Sequence, residues 1–287
     1  PEDSTRLLAF EAGEIDIYQG GVVPQEINRL EAAPNIVVKR TPGTGYNYLG
    51  FNTKVGALSD VRVRQAVSHL INREGIVERV LNGIGTPGIG PVSMSLPWFN
   101  PDVQRYDYSV EKARELLAEA GVAPGDINLR LYTNENPVRM RIAEILQFEA
   151  QQAGINVEVI IEEWGAYLAR IQETDDFDIF ILGWSGQLDP DRAMIRQFHT
   201  NGSNNYGKYS NERVDYLLDL GRTVPQESQE SIDIYREAQE IVVREVPYGF
   251  INYTEEVGLH HPWIGNWEVH PYGAAAWQDA HLMTKNK

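Results

Sequence analysis

The middle of the chain alternates between short apolar runs and longer segments whose apolar residues recur at helical spacing. The run Ile155–Ile161 has the length of a buried strand, whereas Pro137–Ala153 places apolar side chains three and four positions apart, as an amphipathic helix does. Strands that alternate with helices in this way form parallel sheets with right-handed crossovers. The pattern therefore predicts one sheet that contains strands at 127–132, 155–161 and 177–182.

Helix starts are marked by polar residues that can accept hydrogen bonds from the first turn. Residues of this kind precede four of the predicted helices: Asp60, Asn72, Ser109 and Asn211. Arg62 and Arg64 come early in their helix, which is the unfavourable end of the helix dipole for a cation, so we expect each to have a partner elsewhere. Pro225 is expected to open a helix that continues to Glu245.

The two ends of the chain differ from this regular middle. Near the start, short strands are predicted at 15–18 and 36–38, followed by the turn-rich segment Thr41–Gly45 and an alternation of aromatic and polar residues over 46–52. Closely spaced Pro and Gly residues are typical of turns, so we expect Thr41–Gly45 to be a hinge. From Pro247 onward, aromatic residues recur in segments that we expect to be extended.

The apolar run Phe177–Leu182 leads into the part of the chain best suited to hold a ligand. The run is interrupted only by Asp178 and breaks at Gly183, which predicts that a buried strand ends there. In open α/β sheets, ligands bind at the carboxyl ends of the strands. The residues that follow offer an aromatic ring, an amide and two acids: Trp184, Gln187, Asp189 and Asp191. This mixture suits the binding of a small polar molecule, although a buried tryptophan followed by an ordinary polar turn explains the local sequence equally well.

Composition narrows the class of protein. Hydrophobic residues make up 42% of the 287 residues and charged residues 23%, which is typical of a globular chain. The formal charge of −16 would repel the chain from nucleic-acid phosphates and from anionic membrane surfaces. No apolar run has the length of a transmembrane helix, and the absence of cysteine excludes disulfides, thiolate metal sites and a cysteine nucleophile. The chain begins at Pro1 without a signal peptide, so we expect a processed chain or one cut from something longer.

The sequence contains no group of residues typical of an enzyme. Asp189 and Asp191 could act as an acid–base pair or a hard-cation site, but a turn cap around Pro190 is the simpler interpretation. The pair His260-His261 is the only histidine cluster, and no further ligands stand at zinc spacing around it. A phosphate loop, a dinucleotide fingerprint and a nucleophile-elbow serine are all missing from the sequence.

A family resemblance rests on segments that recur in a fixed order along the chain. These segments are Tyr48–Thr53, Asp60–Val67, Ile71–Arg73, Glu111–Gly121, Glu163–Leu168, Gly183–Trp184, Asp189–Asp191 and Asn204–Tyr206. Each is weak alone, but in this order and spacing they resemble the peptide- and nickel-type (family 5) extracellular solute-binding proteins of bacterial ABC importers. The resemblance covers essentially the whole chain.

The resemblance implies an α/β fold, namely a periplasmic-binding-protein-like lobe with a mixed sheet and flanking helices, together with part of a second lobe. Residues 1–50 would belong to the first lobe, residues 51–245 would form the other lobe, and residues 246–287 would return to the first. Because the chain would cross between the lobes twice, we expect its first fifty residues to pack against the segment from Pro247. The N-terminal portion of the family fold would be absent.

The resemblance also implies a function. The protein would capture a small polar solute, peptide-like or other, in the cleft between two lobes that close by a hinge motion, and would deliver it to an ABC transporter permease in the periplasm or at the cell surface of bacteria. It would be a monomer that binds no cofactor, metal or nucleic acid, does not span a membrane and is not an enzyme. The open alternatives are a hydrolase acting through Asp189 or Glu163, and a peptide-binding chaperone or signalling receptor on the same fold.

We expect the ligand to be bound by residues from the strand that crosses between the two lobes, from the ends of two other strands, and from a polar loop. These residues are Tyr46, Asn47, Tyr132, Thr133, Asn134, Trp184, Gln187, Asp189 and Asn205. Peptide-binding members of the family commonly hold the amino terminus of the ligand with an aspartate three residues after the tryptophan, where this chain has Gln187. Dipeptide-binding members use an arginine just after the strand at 127–132, where this chain has Thr133 and Asn134.

These two departures predict weak binding of ordinary dipeptides, because a buried ammonium or carboxylate needs a charged partner. Asp189 would supply the missing anion if its carboxylate turned inward. Otherwise the remaining groups suit a neutral polyhydroxyl or amide-bearing ligand at least as well as a peptide.

Overall fold

The computed structural model of the protein describes residues 3–185, 188–273 and 283–285. The strands are β1 (Ile17–Gln19), β2 (Val37–Phe51), β3 (Thr86–Pro87), β4 (Ile127–Asn134), β5 (Ile155–Glu162), β6 (Ile179–Trp184), β7 (Tyr248–His260), β8 (Ile264–Gly265) and β9 (Thr284–Lys285). The α-helices are α1 (Asp3–Glu11), α2 (Ile27–Glu31), α3 (Val61–His69), α4 (Arg73–Arg79), α5 (Val110–Glu119), α6 (Pro137–Gln152), α7 (Trp164–Glu173), α8 (Arg196–Phe198), α9 (Glu212–Gly221) and α10 (Gln229–Glu245). Short 3₁₀ turns lie at Pro24–Glu26 and Gly56–Ser59, and Asp191–Ile195 forms a π-helical turn.

Within the described residues, seven strands form one mixed sheet. Their order is β1-β7-β2-β6-β4-β5, with β3 paired to β7. β4 pairs in parallel with both β5 and β6, so the three strands predicted from the alternating pattern do share a sheet. β2 runs antiparallel to β6 and to β7, which makes the sheet mixed, as the family resemblance implied.

The segment Thr41–Gly45 lies inside the 15-residue strand β2, so the prediction of a turn there is wrong. Its pairing with β7 is nevertheless irregular, because the register shifts between Pro42 and Tyr46 and the amide of Gly45 donates to Thr254 Oγ1 (3.2 Å). Pairing of β2 with β6 begins only at Tyr46. At Pro42 the strand is therefore paired on one side only, where a proline is tolerated.

Buried apolar side chains form separate cores against this sheet. The larger core takes in β2 from Tyr46, β7 as far as Tyr253, and the strands and helices between them. A smaller core joins α1 and α2 to the opposite ends of β2 and β7 through Leu7, Phe10, Tyr18, Ile27, Leu30, Ile36, Val257 and Leu259. The predicted packing of the first fifty residues against the segment from Pro247 is confirmed by the pairing of β7 with both β1 and β2. A third, small cluster contains Ile264, Trp267 and Val269.

The predicted helix starts agree with the structure except at Pro225. The four polar residues each accept a hydrogen bond from a backbone amide of the first turn: Asp60, Asn72, Ser109 and Asn211. The late helix begins at Gln229 instead of Pro225, with Ser228 Oγ accepting from the amide of Ser231 (3.1 Å). Glu227 has a φ of 61°, and a residue in this left-handed conformation cannot continue an α-helix from Pro225.

Arg64 fixes the end of α10 against α3. Its side chain is buried, and it donates to the carbonyl oxygens of Glu245 (2.6 Å), Val246 (3.0 Å) and Leu58 (2.7 Å). Val246 follows the helix with a φ of 49°, which is unfavourable for a β-branched residue and persists only where neighbours enforce it. Arg62 instead pairs with Asp60 at the surface. Both arginines therefore have the separate partners expected from their position at the start of α3.

We predict that Arg64→Ala lowers the free energy of unfolding by about 2–4 kcal/mol, because it leaves several buried carbonyl groups without a donor. Urea denaturation followed by far-UV circular dichroism measures this change. Arg62→Ala, which removes an exposed guanidinium from the same helix, is the matched control and should change stability little. Equal effects of the two substitutions would contradict the role assigned to Arg64.

Candidate functional site

Gly183 and Trp184 belong to β6, so the expectation that the strand ends at Gly183 is wrong. They pair with Asn47 and Tyr46 of β2, respectively. A Cβ atom at position 183 would lie 2.5 Å from Asn47 Oδ1. The glycine is therefore required by the close approach of a neighbouring side chain, and the strand continues through it.

Trp184 is the outer member of an aromatic stack. Its ring lies 6.3 Å from that of Tyr48 at an interplanar angle of 16°, and the ring of Tyr48 lies 3.9 Å from that of Tyr248 at 18°. Tyr206 flanks Trp184 at 6.0 Å. Tyr46, the predicted ligand-binding residue paired with Trp184, is fully buried, with its ring 5.4 Å from that of Phe250. The stack therefore places Trp184, which is half-buried, at its accessible end.

This aromatic group contains polar atoms without partners. In the described part of the chain, the hydroxyls of Tyr46, Tyr48 and Tyr248 and the indole Nε1 of Trp184 are buried and none meets a partner with hydrogen-bond geometry. The hydroxyls of Tyr48 and Tyr248 are close enough to affect each other's titration, but they do not form a hydrogen bond of normal geometry. Burial raises the pKa of the Tyr46 and Tyr48 phenols well above their usual value, so both are neutral donors at physiological pH.

The end of β4 contributes three predicted site residues in different environments. Tyr132 is buried, and the guanidinium of Arg170 lies 4.6 Å from its ring centroid. Thr133 is fully buried, and its hydroxyl has no partner among the described residues. Asn134 is half-buried, and its Oδ1 accepts from Arg139 Nη1 (2.9 Å). Asn134 is thus the residue of the three that connects the strand end to a charged side chain.

Arg139 is the residue that sequence reasoning missed. It lies in the first turn of α6, and its guanidinium is 5.7 Å from the ring centroid of Trp164. Partial burial lowers the pKa of Arg139 from its usual value, and no described carboxylate forms an ion pair with it. The expectation that only neutral groups stand at this strand end is therefore wrong. The sequence did contain a signal for it. Arg139 falls in the first turn of the helix predicted from Pro137, and that turn lies next to the end of the preceding strand.

Two other predicted site residues form hydrogen bonds within their own loops. Asp189 Oδ1 accepts from the amide of Arg192 (2.9 Å), which confirms the turn-cap interpretation. The side chain of Asn205 donates to the carbonyl of Tyr209 (2.7 Å) and accepts from its amide (3.0 Å). Gln187 lies outside the described residues. Whether these side chains also meet a ligand stays a prediction.

The groups considered for catalysis or metal binding have structural partners. Glu163 caps α7 by accepting from the amides of Gly165 (2.8 Å) and Ala166 (3.3 Å). His261 is buried with its ring nitrogens 3.2 Å and 3.0 Å from the carbonyl oxygens of Asn35 and Phe10. Among the described residues, no group of three or more His, Cys, Asp or Glu side chains is placed to hold a metal ion. In the same residues, no helix combines the length and the apolar character needed to cross a membrane.

A cavity of about 700 Å³ lies where residues 21–25 face the end of α4 and the first turns of α6. We call this space the α6 cavity. Its polar lining consists of Gln25, Asn47, Arg79, Asn136, Arg139 and Arg141. Asn47 connects the cavity to the centre of the sheet, because its Nδ2 donates to Asn252 Oδ1 (3.1 Å) on β7. Of the predicted site residues that the structure describes, Asn47 lines the cavity directly, and Asn134 contacts its wall through Arg139.

The comparison with known proteins assigns the family. Residues 1–205 match the family described as bacterial extracellular solute-binding proteins, family 5 Middle. The chain belongs to this family. Its mixed sheet and flanking helices are accordingly those of a family 5 solute-binding protein, as the resemblance implied.

Relatives of this family 5 chain cover nearly all of it. It is 27% identical over 282 residues to the heme-binding protein A of Haemophilus influenzae, a match that covers 95% of this chain and 51% of that protein. It is 29% identical over 257 residues to the dipeptide-binding protein of Escherichia coli, covering 86% of this chain and 47% of that protein. The chain thus spans about half the length of these relatives.

A solved structure supports the same assignment. HbpA2 from Haemophilus parasuis superimposes with a TM-score of 0.85 at 27% identity, over 95% of this chain and 55% of that one. The mixed sheet and its flanking helices are therefore a shared architecture.

We predict that Tyr48→Phe changes the free energy of unfolding by no more than about 0.5 kcal/mol, because the lost hydroxyl has no partner within the described chain. Tyr167→Phe is the matched control: its buried hydroxyl donates to the carbonyl of Ile181 (2.6 Å), and its loss should cost about 1–2 kcal/mol. Urea denaturation of both variants gives the comparison. A larger penalty for Tyr48→Phe than for Tyr167→Phe would show that the Tyr48 hydroxyl holds the fold together.

Proposed function

We propose that this chain is part of the substrate-binding component of a bacterial ABC importer. It captures a small polar solute in a cleft and delivers it to a membrane permease. Membership of the extracellular solute-binding family carries this proposal, together with the position of the α6 cavity beside Asn47 of β2. Because the family is extracellular, the proposed location is the periplasm or the bacterial cell surface, and the proposed form is a monomer.

The arrangement of the cores supports a two-lobed mechanism. The smaller core lies at one end of β2 and β7 and the larger core at the other, with the irregular pairing between Pro42 and Tyr46 separating them. We propose that residues 1–50 and 246–287 belong to one lobe and residues 51–245 to the other, and that β2 from Tyr46 and β7 as far as Tyr253, which pack into the larger core, form the crossing between the lobes. Residues 21–25 and α6 approach the α6 cavity from opposite sides of this division, so closure of the lobes would narrow the cavity around a solute.

The α6 cavity has the size and lining of a small-molecule site. Its volume falls within the range of ligand pockets, which are mainly apolar with a few polar groups that orient the ligand. Asn47 and Asn134 supply polar contacts in this proposal, and Trp184 offers an aromatic ring near the crossing strands. Tyr46, Tyr132 and Thr133 are buried and would support these groups from beneath. Gln187, Asp189 and Asn205 complete the proposed set from the loops after β6.

The proposed role is binding without turnover. The family consists of solute-binding proteins, and the hydrolase alternative gains no support from the structure. The carboxylates of Asp189 and Glu163, on which that alternative rests, accept hydrogen bonds from backbone amides at turn and helix starts. The names of the relatives include both heme- and dipeptide-binding proteins, so the family alone does not fix the solute.

We predict that the intact protein binds one solute class saturably and returns it unchanged. A thermal-shift screen against pools of peptides, sugars, organic acids and metal chelates identifies the class, because a solute present at 100 times its Kd stabilises the folded state by about 2.7 kcal/mol. Chromatography of the recovered solute tests for turnover.

Two variants relate that binding to the aromatic stack. Trp184→Ala should weaken binding by about 1–2 kcal/mol through loss of an aromatic contact. Tyr216→Ala, at an exposed aromatic on α9, is the control and should leave binding intact. Consumption of the solute that disappears in Glu163→Gln or Asp189→Asn would contradict the proposed function and favour the hydrolase.

A further inference from the structure

We infer that the turn between α4 and β3 is a latch that holds the two proposed lobes together beside the α6 cavity. We call this segment, residues 80–85, the α4–β3 turn. By its position in the chain it belongs to the lobe of residues 51–245, yet it forms hydrogen bonds with the other lobe at two places. The inference rests on the lobe division of the proposed function, and it identifies residues that position one wall of the cavity.

The α4–β3 turn passes from one core to the other. Leu81 is buried in the larger core, whereas Ile84 packs against the smaller one. Directly afterwards, β3 pairs with Asn252 and Tyr253 of β7, which brings the chain back to the crossing. Gly85 has a φ of 94°, and a Cβ atom there would lie 2.4 Å from the carbonyl oxygen of Tyr253. The turn is therefore in direct contact with β7 and joins the two cores in addition to β2 and β7 themselves.

An arginine of β2 and a glutamate of β7 hold the turn from the side of the other lobe. Arg40 Nη2 donates to the carbonyl oxygen of Gly83 (2.6 Å) and to Glu255 Oε2 (2.6 Å). The same carboxylate oxygen accepts from the amide of Gly85 (3.0 Å). Arg40 Nη1 also forms an ion pair with Glu31 of α2 (3.2 Å). One guanidinium thus connects both strands, α2 and the turn.

Asn82 holds the turn to the wall of the α6 cavity. Its Nδ2 donates to the carbonyl oxygen of Pro24 (2.9 Å), which belongs to the segment 21–25 that lines the cavity. Its φ of 47° lies in the left-handed region, which asparagine adopts more readily than most residues. Neither Asn82 nor Arg40 is among the described residues that line the cavity. Both would therefore act on a solute only through the position of this wall.

The wall has little regular structure of its own. Gly20 and Gly21 follow β1 with φ values of 79° and 72°, and glycine restricts the backbone least of all residues. Tyr18 Oη donates to the carbonyl of Gly21 (2.9 Å), and regular structure resumes at the 3₁₀ turn Pro24–Glu26. Restricting such a segment before a solute arrives lowers the entropy that is lost on binding. The latch therefore preorganises the cavity by holding its wall against the end of α4.

The test is a distance measurement on the intact protein without any solute. Spin labels on cysteines introduced at the exposed positions Asn28, on α2, and Gln151, on α6, lie on the two proposed lobes. Double electron–electron resonance then gives the distribution of distances between the labels. The protein with an unchanged latch should give one narrow distribution, because the latch holds one arrangement of the two lobes.

Two substitutions open the latch without changing the lining of the cavity. Asn82→Gly keeps the left-handed backbone but removes the donor to Pro24, and Arg40→Gln removes the ion pairs with Glu31 and Glu255. Each should lower the ratio of latched to unlatched protein roughly 2- to 10-fold, the usual worth of a hydrogen bond, and both together roughly 4- to 100-fold. The double variant should therefore show a second population at longer distances.

Asn266→Gly and Lys39→Gln together form the matched control. Asn266 is exposed and has the same left-handed conformation, with a φ of 56°. Lys39 precedes Arg40 on β2 and pairs with Glu268 (2.7 Å), away from the turn. The control should keep the narrow distribution. A latch variant whose distribution matches that of the control would overturn the inference. So would a shift to shorter distances, because the turn would then hold the lobes apart.

Urea denaturation shows whether each variant is folded. Should the double variant prove unstable, Arg40→Gln and Asn82→Asp are measured singly, since Asn82→Asp keeps the shape of the side chain but replaces its donor with an acceptor. Failure of the inference is distinguishable from failure of the proposed function. The latch fails in this measurement, which uses no solute, whereas the proposed function fails if no pool in the thermal-shift screen raises Tm.

Discussion

The antiparallel pairing of β2 with β7 is the constraint to which the other elements are fitted. The two strands are joined from Val37 opposite His260 to Gly50 opposite Tyr248, and each also pairs with another strand of the sheet. Where β2 is paired on both sides, from Tyr46 onward, it cannot leave the ladder without exposing backbone donors and acceptors, which is costly. The two cores are therefore held on one continuous sheet, and relative movement of their elements must be absorbed where the pairing is irregular, around Gly45.

The local sequence pattern was sufficient to predict the elements that are determined by neighbouring residues in the chain. The strands β4, β5 and β6, the helices between them and the capping residues Asp60, Asn72, Ser109 and Asn211 were predictable, because apolar periodicity and side-chain caps act over a few neighbouring positions. Gly183 and the Thr41–Gly45 segment were not. Both resemble turns in sequence, yet both lie in strands, because cross-strand neighbours at Asn47 and Thr254 determine their conformation.

The residues of the candidate site also divide into those that the sequence predicted and those that it did not. Asn47 was predictable as a polar residue on the crossing strand, and it does line the α6 cavity. The turn cap at Asp189 was predictable in the same way. Sequence could not show that Asn205 forms hydrogen bonds within its own loop, since that depends on the backbone around it. Nor could it show that Arg139 lines the same cavity, which follows from its hydrogen bond to Asn134 and from the approach of α6 to residues 21–25. These contacts join residues of different elements, so the sequence of a single segment does not reveal them.

The most direct test of this account asks whether the α6 cavity closes on a solute. Because the chain contains no cysteine, cysteines can be introduced at the exposed positions Asn28, on α2 after the segment 21–25, and Glu135, and labelled without background. With a spin label on each cysteine of the intact protein, double electron–electron resonance measures the distance between the two sides of the cavity. The account predicts that a saturating concentration of the solute identified by the thermal-shift screen shortens and narrows this distance distribution. An unchanged distribution, with binding confirmed on the same sample by calorimetry, would show that the solute binds elsewhere and would contradict the assignment of the cavity.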